Sequence, residues 1–387
     1  MKYLQKILPI FFILIIFVNL LSVLIPNRGK YLTFDYGKRF NGLEEVYNNS
    51  QYVKQNVKNW IPDDTVYAYV GGVYLKGISP ILLNPEVPPL GKYLIGLSIA
   101  LFNNENIVNL LSGLMALLML YLIGRQIYRK KLTAFLPVVF ITADPLIKNQ
   151  FATTPLLDLM QMTFLLSAFY FYNLGLTRKK SLTPFVIAGI FAGAFISTKF
   201  FITGATIFAS FLTVPLLLKT WSKFKESLVI LPVSFAVLVL SYFKYFLLGY
   251  NLREFLGVQK WIYLYHKSKL LYPLSVWPLL FFNKWYVWWG DKPIISDPQW
   301  TLFWPISTVL SLLTIILYLF HKIDRKKELL VIMIWVIYYS VFSSLGQISA
   351  RYFVIYFPPL YLLSFYLIEQ LFVKYVIKEK NKTKGRK

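Results

Sequence analysis

Apolar runs of bilayer-spanning length recur along the chain, separated by short polar connections. The first covers residues 4–25 behind Lys2 and Lys6. Others fall at about 106–128, 132–148, 154–176, 182–200, 201–218, 226–248, 302–321, 328–345 and 352–373. Runs of this length and composition read as helices crossing hydrocarbon, so the pattern predicts ten spans. The fifth and sixth meet at a break at Lys199–Phe201. A secretory signal is the competing reading of the first run, but Val23-Leu24-Ile25-Pro26 offers no small-residue cleavage site. The expectation is an uncleaved first span with its N-terminus in the cytoplasm.

Two long stretches interrupt the apolar pattern, 26–105 and 249–300. The first is mostly polar, with a short apolar piece at Leu94–Phe102 suited to packing at the membrane interface. Within the second, Asn251–Leu271 reads as an amphipathic helix lying along the headgroups. Leu252, Phe255, Leu256 and Ile262 fall on one side, with Arg253, Lys260 and Lys267 elsewhere. Trp277, Trp285, Trp288, Trp289, Trp300 and Trp304, with Tyr286 among them, follow at a density that marks a membrane–water boundary. Sugar stacking is the second reading of the same aromatics. The hydropathy shows no internal repeat. One spanning domain, 1–373, and a basic tail, 374–387, are expected.

Charge fixes the orientation. Arg129-Lys130-Lys131, Arg178-Lys179-Lys180, Lys219 through Lys225, Lys322 through Lys327 and the tail form five basic clusters on alternate connections. The short connections near 149–153, 199–201 and 346–350 carry almost none. By the positive-inside bias both termini are cytoplasmic and both long loops lie outside. A net charge of +24 therefore reads as anchoring to a lipid leaflet rather than as nucleic-acid binding. With 57% hydrophobic and 15% charged residues, composition agrees with a polytopic membrane protein. Cysteine is absent and His266 and His321 stand far apart, which excludes disulfides and thiolate chemistry and argues against a histidine-rich zinc centre.

Charged residues at the ends of spans are costly and mark places to look for function. Asp144, Lys148, Asp158, Lys199, Lys244 and Arg351 all fall, under this topology, at the outer face that also carries Asp63, Asp64, Glu86 and Lys92. Carboxylates at such a face can take a proton from an attacking hydroxyl. Lysine and arginine can neutralise a phosphate leaving group. Both needs arise together in transfer from a phosphate-activated donor to a hydroxyl. The chain has no Gly-rich phosphate loop, so the donor would be a lipid reached from within the bilayer. A lipid flippase or transporter is the alternative, but transporters place polar residues near the midplane of repeated halves. The acids here lie at the rim.

Each residue also has a plainer reading. Asp63 and Asp64 suit a helix start, and Pro88-Pro89 suit the first turn of the interfacial helix. Lys92, Lys199 and Arg351 can anchor to headgroups, and His266 can be a boundary residue. Asp158, a few residues inside its span, needs a partner, either a structural one such as Lys148 or a substrate. Adjacent acids also offer oxygen ligands to a divalent cation.

Several motifs carry a family resemblance. Asp63-Asp64-Thr65-Val66-Tyr67-Ala68 resembles the Asp-Glu motif in the first outer loop of lipid-dependent membrane glycosyltransferases. Both the protein O-mannosyltransferases (glycosyltransferase family 39) and the lipid A aminoarabinose transferases have such a motif. Glu86-Val87-Pro88-Pro89-Leu90-Gly91-Lys92 is closer to the mannosyltransferases, which usually read His-Pro-Pro-Leu-Gly-Lys. Asp158 after Thr153-Thr154-Pro155, Ser197-Thr198-Lys199-Phe200, and His266 followed by Trp277-Pro278-Leu279-Leu280 match more loosely, as does Arg351 with Pro358-Pro359. Val87 replaces the usual histidine, Asp64 the usual glutamate, and the soluble sugar-binding insert of the eukaryotic enzymes is missing.

The resemblance implies a GT-C type helical bundle that moves a sugar, mannose or another hexose, from a polyprenyl-phosphate donor to a hydroxyl acceptor on the outer face with inversion. The acceptor is a protein, a glycan or a lipid. It implies Asp63 as general base, with Asp64 positioning it or sharing a metal or water. Lys92, Lys199 and Arg351 are implied at the donor phosphate. Glu86, Pro88, Pro89, Asp158 and His266 are further site candidates.

Overall fold

The structure is a computed structural model that describes residues 2–55, 57, 60–178, 181–199, 201–268, 270–287 and 293–384, with the backbone alone for 2–6, 201 and 376–384. Lys179 and Lys180 of one basic loop, Phe200, and Trp288 and Trp289 of the expected aromatic belt lie outside the described residues, as do the last three residues of the tail.

Each of the ten apolar runs carries helix, and strand among the described residues is confined to a ribbon pairing Trp285–Tyr286 with Ile294–Ile295. Helix is the solution that satisfies every backbone group within a single segment, which a lipid-facing chain requires. Three helices, Ile7–Leu24, Ile107–Ile127 and Trp221–Ser241, are long and apolar enough to cross a membrane by length and composition. Several of the other runs form shorter or broken helices, whereas Asp158–Thr177 runs unbroken for 20 residues. Residues 132–148, expected as one span, form two helices, Phe135–Ala143 and Pro145–Ala152. Asp144 ends the first and caps the second by accepting from the Leu146 amide at 2.9 Å, and Pro145 occupies the first helical position, where its missing N–H costs nothing. The fifth run ends at Thr198, and a 3-10 turn, Phe201–Thr203, leads into Gly204–Leu217. Before the last helix, Phe357–Lys384, another 3-10 turn covers Ala350–Val354.

At the centre lies Asp158–Thr177, in which 15 of 20 residues are buried, from its opening aspartate to Leu176. A helix enclosed on most sides belongs to the core of a bundle. It packs against Ile107–Ile127 and Thr183–Thr198, and the latter packs against Ile230–Ser241 and Leu90–Phe102. Gly204–Leu217 lies on Leu330–Ser343, and Phe303–Leu319 on Phe357–Lys384.

The first long loop, 26–105, folds as a helical layer on this bundle. Asp63–Leu75 and Leu90–Phe102 cross closely: a Cβ on Gly96 would meet the Gly71 carbonyl at 2.7 Å, so no larger residue fits there. Their shared core holds Val66, Tyr67, Val70 and Ile95. Leu90–Phe102 turns Leu97, Leu101 and Phe102 outward, as an interfacial helix should. Leu252–Lys267 in the second loop is capped at Asn251 by a full capping box with Glu254. The apolar side predicted for it divides: Phe255 and Ile262 face the protein, whereas Leu252 and Leu256 are half exposed. Trp304, expected in the boundary belt, is fully buried and donates to Asp144 at 3.2 Å.

Candidate active site

Pro62 holds extended backbone and Asp63 and Asp64 form the first turn of the helix that follows. Acids are favoured at that end by the helix dipole, yet neither serves as the cap; both side chains reach other partners. The Asp63 carboxylate accepts from the Arg351 guanidinium at 2.5 Å, across 288 residues of sequence. The pair is part-exposed, at 32% and 26%. Asp64 accepts from the Thr154 hydroxyl at 2.7 Å and from the Thr65 amide at 2.7 Å.

Beside the Asp63–Arg351 pair lies a second ion pair, Asp158 with Lys199, almost wholly buried. Lys148 is thus replaced by Lys199 as the partner of Asp158: position 148 belongs to the separate helix Pro145–Ala152, while Lys199 emerges from the end of Thr183–Thr198, packed along the Asp158 helix. The Tyr352 ring links the two pairs, with the Lys199 ammonium 4.6 Å from its centroid and the Arg351 guanidinium at 5.6 Å. Tyr67, one helical turn beyond Asp63, is buried where Asp63, Arg351 and Asp158 all act on its hydroxyl. Burial first, and then the Asp63 carboxylate, push that hydroxyl well above the usual phenol range.

The Pro-Pro element sits under the same edge. Pro88 and Pro89 are buried and Pro89 starts Leu90–Phe102. A Cβ at Gly91 would lie 2.7 Å from Leu157 and 3.0 Å from Thr198, so only glycine brings this loop against the ends of the two helices that carry Asp158 and Lys199. Lys92 is enclosed by its own loop. Its side chain is inaccessible, and its nitrogen donates to the Asn84 carbonyl at 2.7 Å, the Val87 carbonyl at 2.8 Å and the Asn84 side chain at 3.2 Å. Burial lowers it to about 7, against a smaller upward pull from Glu86. It closes the loop 84–92 from within.

Glu86 accepts from the Asn84 amide group at 2.7 Å, and its backbone carbonyl lies 3.0 Å from the His266 ring nitrogen. His266 therefore brings the second long loop onto the first. Asp63, Arg351, Asp158 and Lys199 gather in one place, with Asp64 on the adjoining side of its helix. Lys92 and the proline pair support that place from below, and Glu86 with His266 close its loop side. Thr154, Tyr67 and Tyr352 were missed by sequence reasoning. Tyr67 was legible as the residue four positions after Asp63 on a helix, and the other two gave no signal. Among the described residues, no group of three or more His, Cys, Asp or Glu side chains converges as a metal site. An open cavity of about 380 Å³ lies elsewhere, on the second long loop, lined by Tyr272, Trp277 and Tyr286.

The fold is that of the GT-C membrane glycosyltransferases, and the chain is an integral membrane protein resembling their mannosyltransferase and aminoarabinose transferase branches. Residues 86–246 match the family model described as dolichyl-phosphate-mannose-protein mannosyltransferase. That stretch includes Lys92, Asp158 and Lys199 but neither Asp63 nor Arg351. ArnT from Cupriavidus metallidurans bound to undecaprenyl phosphate is similar in structure, with a TM-score of 0.59 at 17% identity over 80% of this chain. In the apo state the same protein gives 0.50 at 16% identity, again over 80% of this chain. The chain spans 56% and 55% of the length of those two structures. No curated protein matches in sequence.

Proposed function

We propose that the protein is a glycosyltransferase that moves a hexose from a polyprenyl-phosphate donor to a hydroxyl acceptor on the outer face of the membrane, with inversion. The observation that carries this reading is the contact between a part-exposed carboxylate, Asp63, and a guanidinium, Arg351, 2.5 Å apart at the rim of a membrane bundle. A phosphate entering from the bilayer competes with Asp63 for Arg351 and frees the carboxylate as it docks. The acceptor oxygen then attacks the anomeric carbon and its proton passes to Asp63. The bond from that carbon to the phosphate oxygen breaks, and the polyprenyl phosphate leaves with its charge balanced by Arg351. Attack from the face opposite the leaving phosphate gives inversion.

The Asp158–Lys199 pair lies behind Arg351 and holds the floor of the site, and Lys199 reaches the phosphate only by giving up Asp158. Lys92 shapes the loop rather than touching the donor. The match over 86–246 favours mannose as the sugar. Purified protein supplied with radiolabelled polyprenyl-phosphate mannose and a membrane extract as acceptor should yield labelled product, and an Asp63→Asn protein should not. Product from both would remove Asp63 from the role of base.

A further inference from the structure

The segment that precedes the first outer helices reaches the same site through a residue that no motif marks. Helix Pro145–Ala152 ends in carbonyls that lack intrahelical donors, as every helix does. Three consecutive ones are taken by side chains from other parts of the chain. Asn109 donates to the Gln150 carbonyl at 2.5 Å, the Tyr31 hydroxyl to the Phe151 carbonyl at 2.6 Å, and the Lys30 ammonium to the Ala152 carbonyl. A cation at a helix C-terminus also meets the negative end of the dipole. Two residues past Ala152, Thr154 donates to Asp64. At the opposite end of the helix, Asp144 is held by Trp304 at 3.2 Å and by Tyr361 at 3.1 Å. The same short helix packs on the turn Ala350–Val354, which carries Arg351. It therefore touches the support of both halves of the reactive pair.

Charge adds a second thread. Lys30 lies where the Asp64 carboxylate and the Arg39 guanidinium both act on it, and Arg39 is paired with the buried Glu105. Lys30, Arg39, Asp64 and Glu105 thus form one group of two cations and two carboxylates.

We propose that Lys30 is a positioning residue: by closing the end of helix Pro145–Ala152 and balancing Asp64, it sets the aspartate pair against Arg351. The inference rests on the transferase reading above. It is tested in the full-length chain in lipid nanodiscs, with radiolabelled undecaprenyl-phosphate mannose as donor probe and membrane extract as acceptor. Lys30→Met should lower kcat about tenfold or more, because a small misplacement of reacting groups is expensive, and should leave KM for the donor within about twofold. Lys30→Arg should restore most of the rate, since it keeps both the donor to Ala152 and the charge.

Unchanged kcat in Lys30→Met, or an Arg variant as slow as the Met variant, would overturn the proposal. If the unaltered protein transfers no sugar, the transferase reading fails, and the Lys30 link is read from thermal unfolding alone. Lys30→Met and Asp64→Asn should then be non-additive in Tm, the double variant losing clearly less than the sum of the single losses. Strict additivity would show that the two residues do not communicate.

Discussion

Asp63 and Asp64 occupy consecutive positions of one helical turn, yet their surroundings have almost nothing in common. Successive residues of a helix point about 100° apart. That rotation sends Asp63 toward Arg351, Tyr67 and the Asp158–Lys199 pair, at the end of the spanning bundle. Asp64 turns instead toward Thr154, in the connection after helix Pro145–Ala152, and toward Lys30, in the short helix Arg28–Leu32. One carboxylate therefore faces a guanidinium, the contact that the proposed donor phosphate would displace. The other is bound by a hydroxyl and by the amide of its own turn, which no substrate need displace. An acidic doublet is thus two different devices, one exchangeable and one fixed.

The sharpest way to break this contrast is to neutralise each acid in turn. Asp63→Asn should lower sugar transfer about 10²–10⁴-fold with the fold intact, the range for loss of a general base, measured as initial rate with labelled donor. A larger loss from Asp64→Asn would reverse the assignment. Next comes the floor of the Asp63 side. Lys199→Met leaves Asp158 buried without its partner and should destabilise the protein by about 3–5 kcal/mol, read from detergent-solubilised unfolding, with partial recovery in the Asp158→Asn, Lys199→Met double variant. Arg351→Met should cost about 10²-fold in kcat, and Arg351→Lys less, because a lysine keeps the charge but not the forked geometry.

On the Asp64 side the effects shrink. Asp64→Asn and Thr154→Val should each cost about tenfold, and the double variant little more than the worse single one, since both remove the same hydrogen bond. The smallest effect is one of pH. Burial outweighs the Arg39 guanidinium and raises the Glu105 carboxyl from 4.5 to about 7. The folded protein then holds that proton more tightly than the unfolded chain does. This contribution to stability is fully present below pH 4.5 and is lost as pH rises through 7. Unfolding followed across that window should lose this slope in Glu105→Gln.

Much of the helical plan was legible because apolar length is a direct consequence of the solvent a membrane protein lives in. Helix ends were less so. Asp144 divides a run that hydropathy joined, because one carboxylate capping an amide changes the chain direction without changing the apolar average. Among site residues, the long-range partnership of Asp63 with Arg351 followed only from placing charges on one face; their contact depends on how the 3-10 turn Ala350–Val354 folds back. The surroundings of Lys92 were not legible, for a physical reason. A lysine after Pro-Pro in an outer loop has the chemistry of a phosphate ligand, and nothing in its spacing says that three oxygens of its own loop will surround it. Thr154, Lys30 and Tyr352 escaped because hydroxyls and single cations near span ends are common, and tertiary packing alone selects among them.

The glycine at 91 has a bearing on how such proteins diversify. With side chains of Leu157 and Thr198 pressed against its α-carbon, the loop, the head of helix Asp158–Thr177 and the tail of helix Thr183–Thr198 form a single packed block. A chimera that exchanged the loop alone with a relative's would import a backbone shaped for different neighbours. Altered donor preference should therefore come from swaps that carry positions 91, 157 and 198 together.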